Sequence, residues 1–135
     1  MEEMRFSADG RARWAGMGDF RLVSPDGVHQ LEIRYAGEPP HGDSYHRMSI
    51  DGRAFAGHAW GCMFAFSPCS RYVGFSWMPM HYERRTVVAD MNEFRFSVLP
   101  TYIYDFSIRW PAVVSEGPVT PRMHVFDGSE SWAPY

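Results

Sequence analysis

Lysine is missing from this sequence and asparagine occurs once, at Asn92, although thirteen residues are basic. Every basic residue is therefore arginine. Lysine and asparagine codons are AT-rich, so this reads as the codon bias of a GC-rich bacterial genome rather than arginine-specific chemistry. The lack of lysine also removes one phosphate-binding device: the glycines of "WAGMGDF" and "WGC" are followed by neither a lysine nor a helix pattern. Cysteine occurs only at Cys62 and Cys69. Two thiols give no disulfide framework, and their spacing without partners is not that of a zinc site. Both are expected to be reduced, Cys62 in the core and Cys69 in a turn. Long apolar runs are absent: the longest uncharged stretch, "AFAGHAWGCMFAFSPCS", holds His58, glycines and a proline, which excludes a membrane helix. The start, "MEEMRFSADG", has no apolar signal run, and a cytoplasmic protein is expected. A basic excess is missing too. With a net charge of −3 and evenly mixed signs, the chain lacks the stripe that nucleic-acid binding needs.

Helix signals are equally scarce. Branched and aromatic residues dominate the periodic segments, and proline or glycine interrupts before three helical turns accumulate. What is present is turn chemistry. Asp-Gly pairs stand at 9–10, 26–27, 51–52 and 127–128. Three of them sit inside "RFSADGRARW", "HRMSIDGRAF" and "MHVFDGSESW", each with the form of a tight hairpin. The chain is expected to be all-β.

A repeat organises it. Steps of forty-three residues align Pro25, Pro68 and Pro111, and with them "DFRLVSP", "CMFAFSP" and "DFSIRWP". After each proline come a turn and a second strand, then two further strands about a tight turn. The segments "FSPCSRYVGF" and "VSPDGVHQLEI" resemble the strand–turn–strand signature of TolB-like and WD40-like propeller blades. That resemblance implies four-stranded units of about forty residues, here an N-terminal hairpin over 1–18 and units over 19–59, 60–101 and 102–135 of a single domain. A chain of 135 residues holds too few units to close a propeller, which takes roughly four to eight. The expected architecture is a compact antiparallel β-sandwich or open barrel built from two to three blade-like units, as a monomer or small homo-oligomer.

Catalytic signatures are not evident. There is no Gly-x-Ser-x-Gly elbow, and neither cysteine has a histidine in a recognisable motif. Of the six histidines, only His41 and His46 lie close in sequence. "HGDSYH" could bring them and Asp43 to one ion, but a solvated loop leading into a strand explains it better, and no metal or cofactor is expected.

The unusual residues lie in the connectors. "SWMPMHYERR" carries Trp77, Met80, Tyr82 and Glu83, where a loop is normally polar; either Trp77 and Met78 finish a strand and fold over an open end of the sandwich, or the segment is a contact surface. Aromatics, Met and Arg are what interface cores are rich in. "AGEPPHGDSYH" adds Glu38, Asp43 and Tyr45 beside the stiff Pro39-Pro40 pair. In the tail, Trp132 and Tyr135 either pack back or reach a partner. A short, acidic, single all-β domain with such loops resembles, in type rather than motif, the bacterial immunity proteins that occlude a toxin. The expectation is a non-enzymatic inhibitor of a cognate toxin, such as a type VI secretion effector. Glu38, Asp43, Tyr45, Trp77, Met80, Tyr82 and Glu83 would touch the partner, and neither nucleic acid nor membrane is involved. The alternative is a small metal- or ligand-binding β-barrel enzyme using His46, His58 or His81.

Overall fold

The computed structural model describes residues 1–40, 42–117 and 122–135, and among them there are thirteen strands and no helix. The chain is all-β. Its organising element is β6 (Arg53–Phe66), a strand of 14 residues. The first part of β6 completes an antiparallel meander with β3 (Phe20–Val23), β4 (Gln30–Gly37) and β5 (Tyr45–Ile50). Its second part opens another meander with β7 (Tyr72–Met78), β8 (Arg85–Asp90) and β9 (Arg95–Val98). The ladder to β7 shifts register between Ala59 and Phe64, and the ladder to β5 between His46 and Met48.

Between these parts the strand turns a corner. Gly57 and Gly61 both take positive φ, 74° and 79°, a region open to glycine at no steric cost. A side chain at Gly57 would lie 2.7 Å from the Met78 carbonyl oxygen and 2.8 Å from the Trp77 indole nitrogen. The bend brings the two meanders face to face. As a result, turns from opposite ends of β6 meet. The Asp26 N–H donates to Ser70 Oγ (3.0 Å). His29 bridges Asp51 (Nδ1 to Oδ2, 2.6 Å) and the single asparagine, Asn92 (Nε2 to Oδ1, 2.9 Å).

The core between the meanders holds Leu22, Leu31, Ile33, Ile50, Phe55, Phe64, Phe66, Val73, Phe75, Val87 and Ala89, all buried. Phe55 of β6 lies 5.0 Å, ring to ring, from Phe96 of β9, three strands away in the sheet. A separate three-stranded sheet, β10 (Phe106–Arg109), β11 (Ala112–Ser115) and β12 (Met123–Val125), covers the outer face of the second meander. There Ala65, Tyr72, Val88 and Leu99 meet Phe106, Ile108, Val113 and Phe126. The second meander is thus a middle layer. Its strands β7 and β8 are buried on both faces and read as near-continuous apolar runs, whereas β4 alternates because one face meets solvent.

This architecture is an open sandwich, and it corrects the unit boundaries. The units expected over 19–59 and 60–101 share β6, so they form one sheet rather than two blades. The last segment supplies three strands, and then β13 (Ala133–Pro134) returns to pair with β9. The expected hairpin over 1–18 does not form. β1 (Glu2–Arg5) pairs in parallel with β3, while β2 (Arg13–Trp14) extends the edge of β6 beyond the reach of β5. The reason lies at Asp9-Gly10, which crosses to the small sheet: the Ile108 N–H donates to the Gly10 carbonyl (2.7 Å) and the Ala12 N–H to that of Phe106 (2.9 Å). Of the three Asp-Gly hairpins, the one at Asp51-Gly52 is present, with φ of 50° and 81°. The one at Asp127-Gly128 is absent, because the residues after it go to β9.

One charge is fully enclosed. The Asp90 carboxylate, with no exposure, accepts from Arg71 Nε and Nη2 (2.9 Å each) and from Arg95 Nε (3.1 Å). Burial alone would push its pKa up, but hydrogen bonds from the two arginines outweigh burial and hold it below the ordinary value.

Two outcomes follow for stability. Gly61→Ala, with nothing closer than 3.5 Å, should lose only the left-handed backbone cost, about 1–2 kcal/mol; Gly57→Ala should lose at least about twice that, and equal losses by denaturant titration would show that close packing does not fix the bend. Asp90→Ala should cost about 3 kcal/mol at neutral pH, the low end for a broken buried pair, because both arginines reach solvent. A depressed carboxylate stabilises above its unfolded pKa of about 4 and stops doing so as the pH falls through its folded value. The gap between wild type and Asp90→Ala should therefore narrow from pH 5 towards acid, and a gap independent of pH would contradict the assignment.

Candidate functional site

The corner of β6 is also where the connectors gather. Trp60 sits at the bend, buried, with its indole N–H donating to the Asp43 carbonyl (3.0 Å). The Arg84 guanidinium lies over the Trp60 ring at 4.0 Å and donates to the Tyr102 hydroxyl (3.2 Å) and Asp43 Oδ2 (3.3 Å). Burial works against its charge, yet Tyr102 and Asp43 outweigh burial and raise its pKa. Tyr82 stands beside Trp60, ring centroids 5.9 Å apart, and is 58% exposed. Pro39, Pro40 and Gly42 face Trp60, Tyr82 and Arg84 across a groove of about 500 Å³.

Tyr82 is held there at a cost. Its φ is +66°, a value that a bulky side chain rarely adopts. The turn is closed by the Glu83 N–H donating to the Met80 carbonyl (3.1 Å), which leaves Met80 itself 69% exposed. Strained backbone that presents a side chain to solvent does nothing for the core, and such outliers cluster at working surfaces.

The structure distributes the seven expected contact residues unevenly. Tyr82 lines the groove, and Asp43, Met80 and Glu83 each lie within two residues of a lining residue in sequence. Tyr45 is next to it, half-buried and edge-on to His58 (5.2 Å) and His81 (6.3 Å). Glu38 turns away and accepts from the Tyr35 hydroxyl (3.3 Å). Trp77 is partly buried against the core: its ring packs on Phe55 and Phe96, and its N–H donates to the Ala56 carbonyl (2.8 Å). Alternation explains this, since Trp77 shares the inward face of β7 with Phe75 and Val73. The Asp43 carboxylate, expected to steer a partner, is engaged by Arg84. Trp60 and Arg84, not among the seven, line the groove. Their sequence signal was a lone tryptophan between small residues in "HAWGC", which gave no reason to look for a surface.

His46 is fully buried. Its Nε2–H donates to the Gly18 carbonyl (2.9 Å), Nδ1 has no partner, and burial holds its pKa down. It secures the 15–19 loop and is separated by the pleat of β5 from Tyr45, His58 and His81. His58 is also lowered, by burial first and then by Arg47 and His81. His41 lies outside the described residues. Among the described residues no three His, Cys, Asp or Glu side chains gather closely enough to hold a metal. Cys62 is buried against Ser44 Oγ (3.3 Å), and Cys69 is exposed in the Ser-Pro turn.

No protein-family model, curated protein or solved structure matches this chain.

Tyr82→Gly relieves a positive φ worth about 1–2 kcal/mol and gives up an exposed ring packed on Trp60, so the two effects nearly cancel. The variant should unfold within about 1 kcal/mol of wild type. A loss well beyond that in a denaturant titration would make Tyr82 a structural residue.

Proposed function

We propose that this domain works by binding another protein at the bend of β6, and that it is an immunity protein occluding a bacterial toxin, such as a type VI secretion effector. The observation that carries this reading is Tyr82: exposed, backbone-strained, and packed beside the buried Trp60 ring on which Arg84 stacks. Tyr, Trp and Arg are the residue types that dominate binding energy, and a rigid ring loses little entropy on docking. Met80 adds adaptable apolar surface beside it. Glu83 at the same rim supplies a carboxylate that draws a basic partner, a rate effect more than an affinity effect. Occlusion needs no chemistry from the inhibitor: a stiff loop pair, braced by Pro39-Pro40 and by Asp43 on Arg84, blocks the entrance to the toxin's active site.

The test is a toxin-protection assay with a binding measurement, using a secreted toxin encoded beside this protein's gene. The double variant Met80→Ser/Tyr82→Gly should weaken binding at least about 100-fold, two hot-spot residues' worth, and abolish protection. Val28→Ser, on an exposed turn at the opposite end of the sheet, should do neither. Unchanged affinity in the double variant would displace the interface. Failure of the wild type to bind or protect would remove the immunity reading.

A further inference from the structure

A second concavity lies between β9 and the C-terminal segment. It has a volume of about 460 Å³, with Phe96, Val98, Pro100 and Trp132 as its apolar walls and His124 and Glu130 as its ionisable groups. That size is within the range of small-ligand sites.

The polar pair is built rather than incidental. The Glu130 side chain is only 9% exposed. One of its carboxylate oxygens accepts the Asp127 N–H (2.9 Å) and the other the Gly128 N–H (3.0 Å). The turn is pinned in its own right by Asp127 Oδ1, which accepts from the Ser129 N–H and hydroxyl (2.9 and 2.6 Å). Each Glu130 oxygen keeps a free lone pair. The His124 ring is held edge-on by Phe126 (4.7 Å, 89°). Its Nε2 is buried without a hydrogen-bond partner and stands 3.5 Å from Glu130 Oε1. A buried polar atom left unpaired costs about 1–3 kcal/mol, so the arrangement calls for a group that satisfies it.

We propose that this cleft binds a primary ammonium group on an apolar stem. Three ammonium donors match the acceptors on offer: Glu130 as counter-ion and Nε2 of His124, protonated at Nδ1, as a second acceptor. The stem lies against Phe96 and Val98. An anionic ligand would meet Glu130 head-on, and a wholly apolar one would strip water from Glu130 and His124 without replacing it. Arg95, next to Phe96 in sequence, stacks on Trp132 at 4.5 Å with its charge held by Asp90.

The probes are benzylammonium and its neutral counterpart, benzyl alcohol, titrated into the full chain and followed by proton–nitrogen NMR. Saturable shifts for the amine, clustered at residues 96–98 and 124–132, with the alcohol at least about tenfold weaker, are the expected result. Glu130→Gln should weaken the amine by about tenfold or more. Val98→Trp, which fills the cleft from an exposed position without touching either acceptor, should abolish binding. A capped Gly-Lys-Gly peptide distinguishes the sources: displacement of benzylammonium assigns the cleft to a partner's lysine, and no displacement to a free amine. Equal binding of amine and alcohol, no saturation by about 10 mM, or indifference to both variants would overturn the proposal. If His124 carries a second proton and merely pairs with Glu130, the amine will not bind.

Discussion

Asp90 is the charge about which the layers are assembled. It ends β8 in the middle layer, and its two arginines come from the β6–β7 turn and from β9. Each arginine continues into a ring. Arg71 lies 5.3 Å from Tyr72 and Arg95 lies 4.5 Å from Trp132. Between those rings runs an unbroken stack: Tyr72 on Trp110 (3.6 Å), Trp110 on Phe126 (4.8 Å), Phe126 on Trp132 (5.6 Å). The small sheet and the C-terminal segment are therefore tied to the middle layer by a closed circuit that begins and ends on one carboxylate. Each aromatic contact contributes about 0.5–1.5 kcal/mol beyond its burial, and the two arginines meet the rings at either end of the run. Without its partners, Asp90 would take up a proton rather than stay charged in the interior.

The corner of β6 and the candidate surface are one feature seen from two sides. The bend in β6 uses positive φ at Gly57 and Gly61 and leaves Trp60, just before the second glycine, at the turn. There its ring is covered by Arg84 rather than by a neighbouring strand. Residues 38–40 and 42–44 and the 79–84 connector converge on the same place, because both meanders have their far ends at the corner. The tight Asp-Gly and Ser-Pro turns lie at the opposite end, locked to one another through Ser70, His29 and Asn92. One end of the sandwich is thus consumed by its own hydrogen bonds, and the other is free to carry exposed Met80 and Tyr82.

Turn chemistry was the most legible layer of this sequence. Asp51-Gly52 closes a hairpin, and the three prolines at forty-three-residue steps each lie in the turn of an antiparallel pair. Burial direction was less legible. In β4 the alternation of Leu31, Ile33 and polar neighbours points to one core. In β7 both faces are buried, so "YVGFSWM" carries no sign of which core each residue enters, and the sequence left Trp77 between ending the strand and facing a partner, whereas its partly buried ring packs on Phe55 and Phe96. Pairing partners were illegible where they are distant in sequence. Nothing in "EEMR" specifies parallel pairing with β3, and nothing in "RARW" specifies β6. The surface residues Met80 and Tyr82 stood out because they break the polar rule for connectors. Trp60, Arg84 and the His124–Glu130 pair did not, since each becomes notable only through a neighbour far along the chain.

The repeat also explains why this chain makes a sandwich. Two four-stranded units in series form separate sheets when a loop divides them and each keeps its own outer strand. Here the last strand of the first unit and the first of the second are the same strand, so the units cannot separate and must share a sheet. A continuous sheet of that width is stable only if it buries a face, and a bend in the shared strand lets it bury that face on itself. The Pro25 and Pro68 turns, equivalent by the repeat, are carried to the same end by this folding, and the Asp26 N–H meets Ser70 Oγ there. The outer face of the second half remains apolar at Ala65, Tyr72 and Val88, and the first three strands of the third segment cover it. Its last residues then return to β9, closing an edge that would otherwise invite pairing with another chain.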